Sequence, residues 1–428
     1  MKNYKQFLED FALLISAKSV QSDALDNMPF GKGVADAYKI FTDICKRMGF
    51  FVVDYDGYIG EFCVGGSDSE ESFKNALGII GHLDVVPADG DWNTDPFTLT
   101  LKDGVFYGRG VEDDKGPMLC CLYAVKELLE EGYTFKRKVR FIIGLNEESG
   151  WADVDYYKTK AVLPTEGFSP DGNFPVTYAE KGPAKVVFRY RYDGNFYDFK
   201  GGTVSNAVPD YAFTKGKVDE VLIKKYNLKA NGDKIESFGK SAHGSRPQDG
   251  KNAVKPLLEY VNEVDGGTVS TLIENLFNDK QGIFQLGNET GFATISPNLI
   301  SFENGVILIT CDLRVPAKMD IKDFIPFLDK TGIEYEIKAY HEPHYVDVNG
   351  ALVQGLNKAY NDATGENDVP YSCSGATFAS VFMSGVAFGP AFRGVKSAIH
   401  EPNEFMSEEN LLKMFNIYKK ALLELCCR

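Results

Sequence analysis

The chain of 428 residues is 44% hydrophobic and 25% charged, an ordinary soluble composition with room for two or three domains. That excludes a disordered chain, and the lack of any run of ~18 apolar residues excludes a transmembrane helix. With 46 basic and 61 acidic residues the net charge is −15, which argues against nucleic acid and anionic membrane as partners.

The predicted elements alternate between helix and strand. Tyr4, Phe7, Leu8, Phe11 and Leu14 repeat at helical spacing, and a second helical pattern covers 35–48 and stops at Gly49. A hairpin follows, with FFVVDY and YIGEFCV joined at Asp56-Gly57. The apolar runs ALGII (76–80) and KVRFIIGL (138–145) read as buried strands that end in polar residues, and sites form at such carboxyl ends in open α/β sheets. Between them Met118, Leu119, Leu122, Val125, Leu128 and Leu129 mark a helix closed by Gly132. Beyond Gly182 the strand-like segments AKVVFRYRYDG and VILITCDLRVP, with helical patterns at 252–263 and 320–329, read as an inserted α+β module. From Val346 helix–strand alternation returns. The expected fold is therefore α/β with two domains. Residues 1–183 and 346–428 form a mixed-sheet α/β/α domain, and 184–345 form the inserted α+β domain.

The 8 cysteines include the adjacent pairs Cys120/Cys121 and Cys426/Cys427, and no C-x-x-C occurs. Neither a disulfide framework nor a cysteine zinc site is expected. At the N-terminus Glu9 and Asp10 precede the short run FALLI, which is no signal-peptide pattern, so a cytoplasmic protein is expected.

Chemistry concentrates around rare residues. Of 5 histidines, His82 lies in Gly81-His82-Leu83-Asp84 at a strand end, where residues 82 and 84 share one face. Imidazole is a common metal ligand and a nearby carboxylate fixes its tautomer; alone, the pair could equally cap a loop. Asp113 and Asp114, in GRGVEDDKGP before the helix, could equally be capping carboxylates. Glu147 and Glu148, in NEESG after a strand, point different ways, so one can bind metal while the other handles a proton; alone they could be a solvated acidic turn. Asp171 in GFSPDGNFP and His400 in SAIHEPNE complete a set of N and O donors. Such a set suits two zinc-like ions sharing a carboxylate, and manganese tolerates it too. Two ions about 3.5–4 Å apart can polarise a carbonyl and deprotonate water between them.

Taken in order, GHLDVVP, GRGVEDDKGP, NEESG, GFSPDGNFP, GKSAHGSRPQDGKNA and IHEPNE resemble the di-zinc aminoacylase/carboxypeptidase superfamily of metallopeptidases, and within it most the PepV/Sapep-type dipeptidases. The resemblance spans essentially the whole chain. It implies that His82, Asp113 and Asp171 hold one ion, and that Asp113, Glu148 and His400 hold the other. It implies Asp84 as the residue that orients His82, Glu147 as general base, and a cis peptide between Asp113 and Asp114. The insert becomes a lid domain. There His243 is implied as a donor to the oxyanion, and Asn206 and Arg314 as substrate-binding residues. Arg314 suits a C-terminal carboxylate, although it could also be an exposed strand-end arginine.

The implied activity is metal-dependent hydrolysis of dipeptides with a free N-terminus, with Zn²⁺ as the expected ion and Mn²⁺ as the alternative. The alternative substrate class is an N-acyl amino acid, cleaved by a deacylase or desuccinylase with the same centre. The partner expected is a small peptide, and the chain is expected to be monomeric. The chain departs from the family at Cys373–Ser380, where relatives carry a GGGTYAR-like segment and Ser380 replaces the arginine. Arg393 is a candidate to compensate. His341 and His344 match no ligand position and read as surface or lid residues.

Overall fold

The computed structural model describes residues 1–427. They divide into two compact units, one of Met1–Tyr178, Val346–Tyr371 and 377–427, the other of Ala179–Tyr345 and Ser372–Ala376.

The first unit is built on a mixed sheet. Its strands lie in the order Val53–Tyr55, Ile59–Val64, Val139–Gly144, Leu77–His82, Glu166–Ser169, Ser384–Ala387, followed by the strand that begins at Thr177. The hairpin turns where expected. Asp56 and Gly57 both have positive φ (54° and 74°), and the Tyr58 N–H closes the turn on the Tyr55 carbonyl at 3.0 Å. Four central strands, Val139–Gly144, Leu77–His82, Glu166–Ser169 and Ser384–Ala387, run parallel.

Side chains alternate across a strand, and both faces of these strands are covered. Leu77, Ile79, Val139, Phe141 and Ile143 join the core beneath the helices Tyr4–Ser16, Lys32–Arg47, Lys115–Glu130, Ala351–Thr364 and Glu408–Leu422. Ile80 and Ile142 face the other way, onto Val154 and Tyr157 of helix Ala152–Lys160 and onto Phe378 and Phe382. Burial on both faces is why these strands read as continuous apolar runs. Helix Lys115–Glu130 is buried along most of its length and packs beside Tyr4–Ser16 and Glu408–Leu422. Gly132 (φ 84°) ends it, with main-chain bonds from Gly132 to Leu129 and from Tyr133 to Leu128.

The second unit is an antiparallel sheet with helices on one face. Its order is Lys229–Asn231, Lys234–Phe238, Tyr211–Lys215, Tyr197–Gly201, Thr294–Glu303, Val306–Val315, Gly182–Arg191, Glu334–Tyr340. Strand Gly182–Arg191 buries alternate residues, among them Ala184, Val186 and Phe188. These pack in one core with Leu257, Leu258 and Val261 of helix Val254–Val264. The short segment Ser372–Ala376 belongs to this unit, whereas the sequence assigns it to the first. The Ser372 hydroxyl donates to the Thr290 carbonyl at 2.7 Å, and the Ser374 carbonyl accepts from Arg314.

Candidate metal centre

Adjacent parallel strands deliver most of the candidate residues. His82 ends its strand opposite Gly144, so the segment 145–150 starts level with it. Ser169 ends the neighbouring strand and Asp171 follows two residues later. Asp113 lies just before helix Lys115–Glu130, and its peptide to Asp114 is cis, as the resemblance implies. His400 comes from the C-terminal segment.

The structure brings all five implied ligands together in two groups. His82, Asp113 and Asp171 have donor atoms within 4.8 Å of one another, and so do Asp113, Glu148 and His400. Asp113 belongs to both. Its Oδ1 is 3.1 Å from His82 Nε2, and its Oδ2 is 3.0 Å from His400 Nε2. His82 Nε2 is also 3.6 Å from Asp171 Oδ2, and His400 Nε2 is 3.1 Å from Glu148 Oε1. One carboxylate therefore presents one oxygen to each imidazole.

Asp84 does more than face His82. The His82 Nδ1 lies 3.0 Å from the main-chain carbonyl of Asp84 and 3.4 Å from its carboxylate. A proton on Nδ1, donated to that carbonyl, leaves the Nε2 lone pair facing Asp113 and Asp171. The Asp84 carboxylate meanwhile accepts the Glu147 N–H on Oδ1 and the Glu148 N–H on Oδ2, both at 3.1 Å. Asp84 thus ties the candidate base and a ligand to the segment that carries His82. Sequence reasoning misses a second brace. Buried Asp153 accepts the Leu145 and Asn146 N–H groups at 2.7 and 3.0 Å. Its only signal is an acid in the first turn of a helix. Phe378 packs edge-on against both His82 and Trp151.

The electrostatics test whether this cluster fits cations. Burial pushes the Glu147 carboxyl well up, reinforced by the Asp171 charge. Burial and Asp113 push Glu148 up to about 7 and raise Asp171 as well. Burial alone would lower the imidazole of His82, but hydrogen bonds to Asp113, Asp171 and Asp84 carry it well above the ordinary histidine value. His400 is raised against burial by Asp113 and Glu148. Against the upward push of burial, the two imidazoles hold Asp113 well below the usual carboxylate range. Like charges packed this densely are held ionised by added positive charge. The spacing agrees: two donors ~2.1 Å from one ion in a tetrahedral shell lie roughly 3.4 Å apart. The residues fit two divalent ions with N and O ligands.

The second unit holds His243, Asn206 and Arg314. The Ser245 N–H donates to His243 Nδ1 at 3.2 Å. A main-chain N–H can only donate, so the neutral ring carries its proton on Nε2. Asn206 and His243 are neighbours through the chain, since the Gly244 N–H donates to the Asn206 carbonyl at 2.6 Å. Gly244 is needed there, because a Cβ would sit 2.5 Å from Asp312 Oδ2. Arg314 is buried rather than exposed at its strand end. Its Nε and Nη2 each donate to Asp312 at 2.9 Å, and Nη1 donates to the Ser374 carbonyl at 3.2 Å. His341 is exposed and His344 half-buried in the same unit. The Ser380 hydroxyl donates to the Thr377 carbonyl at 3.1 Å. The exposed Arg393 lies 3.9 Å from Asp368, a surface pair.

Residues 78–424 match the model of "Peptidase family M20/M25/M40". A Beta-Ala-Xaa dipeptidase of Lactobacillus delbrueckii subsp. lactis is 31% identical over 452 residues, spanning 98% of this chain and 95% of that one. Among solved structures, human carnosine dipeptidase 1 superposes with a TM-score of 0.58 at 16% identity, over 98% of this chain and 96% of that one. The dipeptidase Dug1p of Saccharomyces cerevisiae gives 0.61 at 15% identity, over 98% and 95%. At these identities the two structures speak for the fold.

Proposed function

The chain belongs to peptidase family M20/M25/M40 and is a metal-dependent hydrolase of peptide bonds, and from that premise we propose that it is a dipeptidase whose working residues are those gathered around Asp113. The observation that carries this reading is the shared Asp113 carboxylate, one oxygen toward His82 and one toward His400. His82, Asp113 and Asp171 would hold one ion, and Asp113, Glu148 and His400 the other. Zinc suits the set, and manganese is the alternative occupant. When bound, two such ions supply Lewis acidity that makes water a nucleophile at neutral pH and polarises the scissile carbonyl.

The chain's own groups do the rest. Glu147 takes the proton of the attacking water on a carboxylate oxygen and delivers it to the amine nitrogen of the leaving residue. Asp84 holds the Glu147 main chain still during that transfer, through the bond at 3.1 Å. The resemblance assigns substrate contacts to His243, Asn206 and Arg314. His243 carries its proton on Nε2 and can donate to an oxyanion. Arg314 is braced by Asp312. The dipeptide class rests on the named relatives, whose length this chain spans nearly in full. A monomer in the cytoplasm completes the proposal; among the described residues no helix is long and apolar enough to cross a membrane.

The test is a substrate panel. Metal-stripped protein is reloaded with Zn²⁺ or Mn²⁺ and offered dipeptides, N-acetyl amino acids and N-succinyl amino acids. Metal-dependent release of free amino acids from dipeptides alone is the expected result. Cleavage of the acyl substrates alone overturns the dipeptidase reading and makes the protein a deacylase.

A further inference from the structure

Two of the motifs hold charged residues that the reaction does not use. Arg109 stands in GRGVEDDKGP and Glu404 in IHEPNE. The structure buries both, at 2% and 0% exposure, and pairs them, Arg109 Nη1 donating to Glu404 Oε2 at 2.7 Å. The Glu404 carboxylate then accepts three main-chain N–H groups from the segment that leads into the shared ligand. Oε1 accepts from Gly110 at 3.1 Å, Glu112 at 2.9 Å and Asp113 at 3.2 Å. Amides converging on one carboxylate form an anion-binding concavity, here filled by the protein's own side chain. Arg109 also reaches back, its Nη2 donating to the Pro87 carbonyl at 3.1 Å.

These bonds join three ligand-bearing stretches. Pro87 follows His82 and Asp84, Gly110–Asp113 carries the shared carboxylate, and Glu404 lies four residues beyond His400. A buried ion pair is a poor way to gain stability, because an apolar pair of the same volume serves as well or better. What an apolar pair cannot do is fix three amides and a carbonyl in one arrangement. We propose that Glu404, clamped by Arg109, is a positioning residue of the metal centre: it sets the main chain of Asp113, and so the direction in which each Asp113 oxygen meets its ion. The proposal rests on the metal-centre reading above.

The experiment compares Glu404→Gln with the wild type and with Glu61→Gln. Glu61 is in the same unit and forms another buried carboxylate–arginine pair, with Arg140, but it touches no candidate ligand segment. Each protein is measured metal-free by circular dichroism and thermal melting. Its affinity for Zn²⁺ is then found by chelator competition, and its cobalt-substituted form is examined by visible absorption. Residues that orient ligands typically account for ~10–100-fold in metal affinity. The expected result is a folded Glu404→Gln protein with affinity lower by that factor and an altered cobalt band, while Glu61→Gln melts earlier with affinity and band unchanged. Should Glu404→Gln not fold, Arg109→Lys is read in the same way. It keeps the charge but not the fork that spans Pro87 and Glu404, and the same loss of affinity is expected.

Wild-type affinity and an unchanged cobalt band in Glu404→Gln, or in Arg109→Lys if that is the protein read, overturn the proposal. An equal loss of affinity in Glu61→Gln also overturns it, because the effect would then be general destabilisation. A wild-type protein that binds no metal overturns the metal-centre reading, and the positioning role falls with it.

Discussion

Glu147 and Glu148, proposed as base and ligand, are neighbours in the chain, and one carboxylate accepts both of their main-chain N–H groups. Asp84 accepts one amide on each oxygen, and the Glu148 side chain lies beside His400. Replacing Glu147 by Gln is expected to keep both ions and lower kcat by ~10²–10⁴, the usual contribution of a positioned acid–base group. Metal analysis alongside steady-state kinetics checks it; loss of metal together with activity would make Glu147 a ligand. Asp84→Asn sets an amide N–H against one of the two main-chain N–H groups. Metal affinity is expected to fall ~10–100-fold, read by chelator competition. His82, Asp113 and Glu148 stood out in the sequence because histidine is rare here and because acids cluster where a strand ends or a helix begins, whereas Asp171 and His400 were assigned as ligands through the resemblance. The bonds of Asp153 and Glu404 were not legible there: Asp153 reads as an ordinary first-turn acid but reaches back 8 and 7 positions to the amides it holds. Glu404 meets Gly110 across 294 positions.

At the scale of elements, the centre depends on how closely strand Leu77–His82 approaches helix Lys115–Glu130. Gly81 makes that approach possible. A Cβ there would lie 2.1 Å from Asp114 Oδ2 and 2.6 Å from Met118 Sδ. Gly81→Ala is expected to cost ~1–3 kcal/mol or more by overpacking and to weaken metal binding as the helix start shifts. Gly132→Ala is a useful contrast. Nothing lies within 4 Å of its Cβ position, and only its φ of +84° opposes a side chain, so ~1–2 kcal/mol is expected with metal affinity unchanged. Denaturant titration and metal competition separate the two. The glycines were legible as punctuation, a strand end and a helix stop. Which one also makes room for a neighbour could be seen only once strand and helix were packed.

For the whole molecule, metal and protons compete for the same groups. In the metal-free chain Glu147, Glu148, Asp171, His82 and His400 all bind their protons more tightly than ordinary side chains do. These groups therefore hold more protons in the folded state than in the unfolded one, and the stability they contribute is lost as pH rises. The Glu148 share is lost from the ordinary carboxylate range up through about 7, and the Glu147 and Asp171 shares are lost above that ordinary range. The imidazole share is lost above the ordinary histidine value. Asp113 has the opposite sign, since its pKa is held down, and it acts only in acid. Because ions displace these protons, the rise in Tm produced by Zn²⁺ is expected to be larger at pH 8 than at pH 5.5. An increment independent of pH would contradict the assignment.

The change to alternating strands after Gly182 falls close to Ala179, where the second unit begins. The return of Ser372–Ala376 to the second unit was not legible in the sequence. Its bonds to Thr290 and Arg314 span 82 and 60 positions, and nothing local announces them.

The most direct test of the central claim is a count of ions. Metal-stripped wild type, His82→Ala and His400→Ala are dialysed against Zn²⁺ and analysed for bound metal per chain. Two ions in the wild type, and the tighter retention of a single ion in each variant, is the predicted result. A fully active wild type that holds one ion, or variants that both keep two, would contradict a centre built on a shared Asp113.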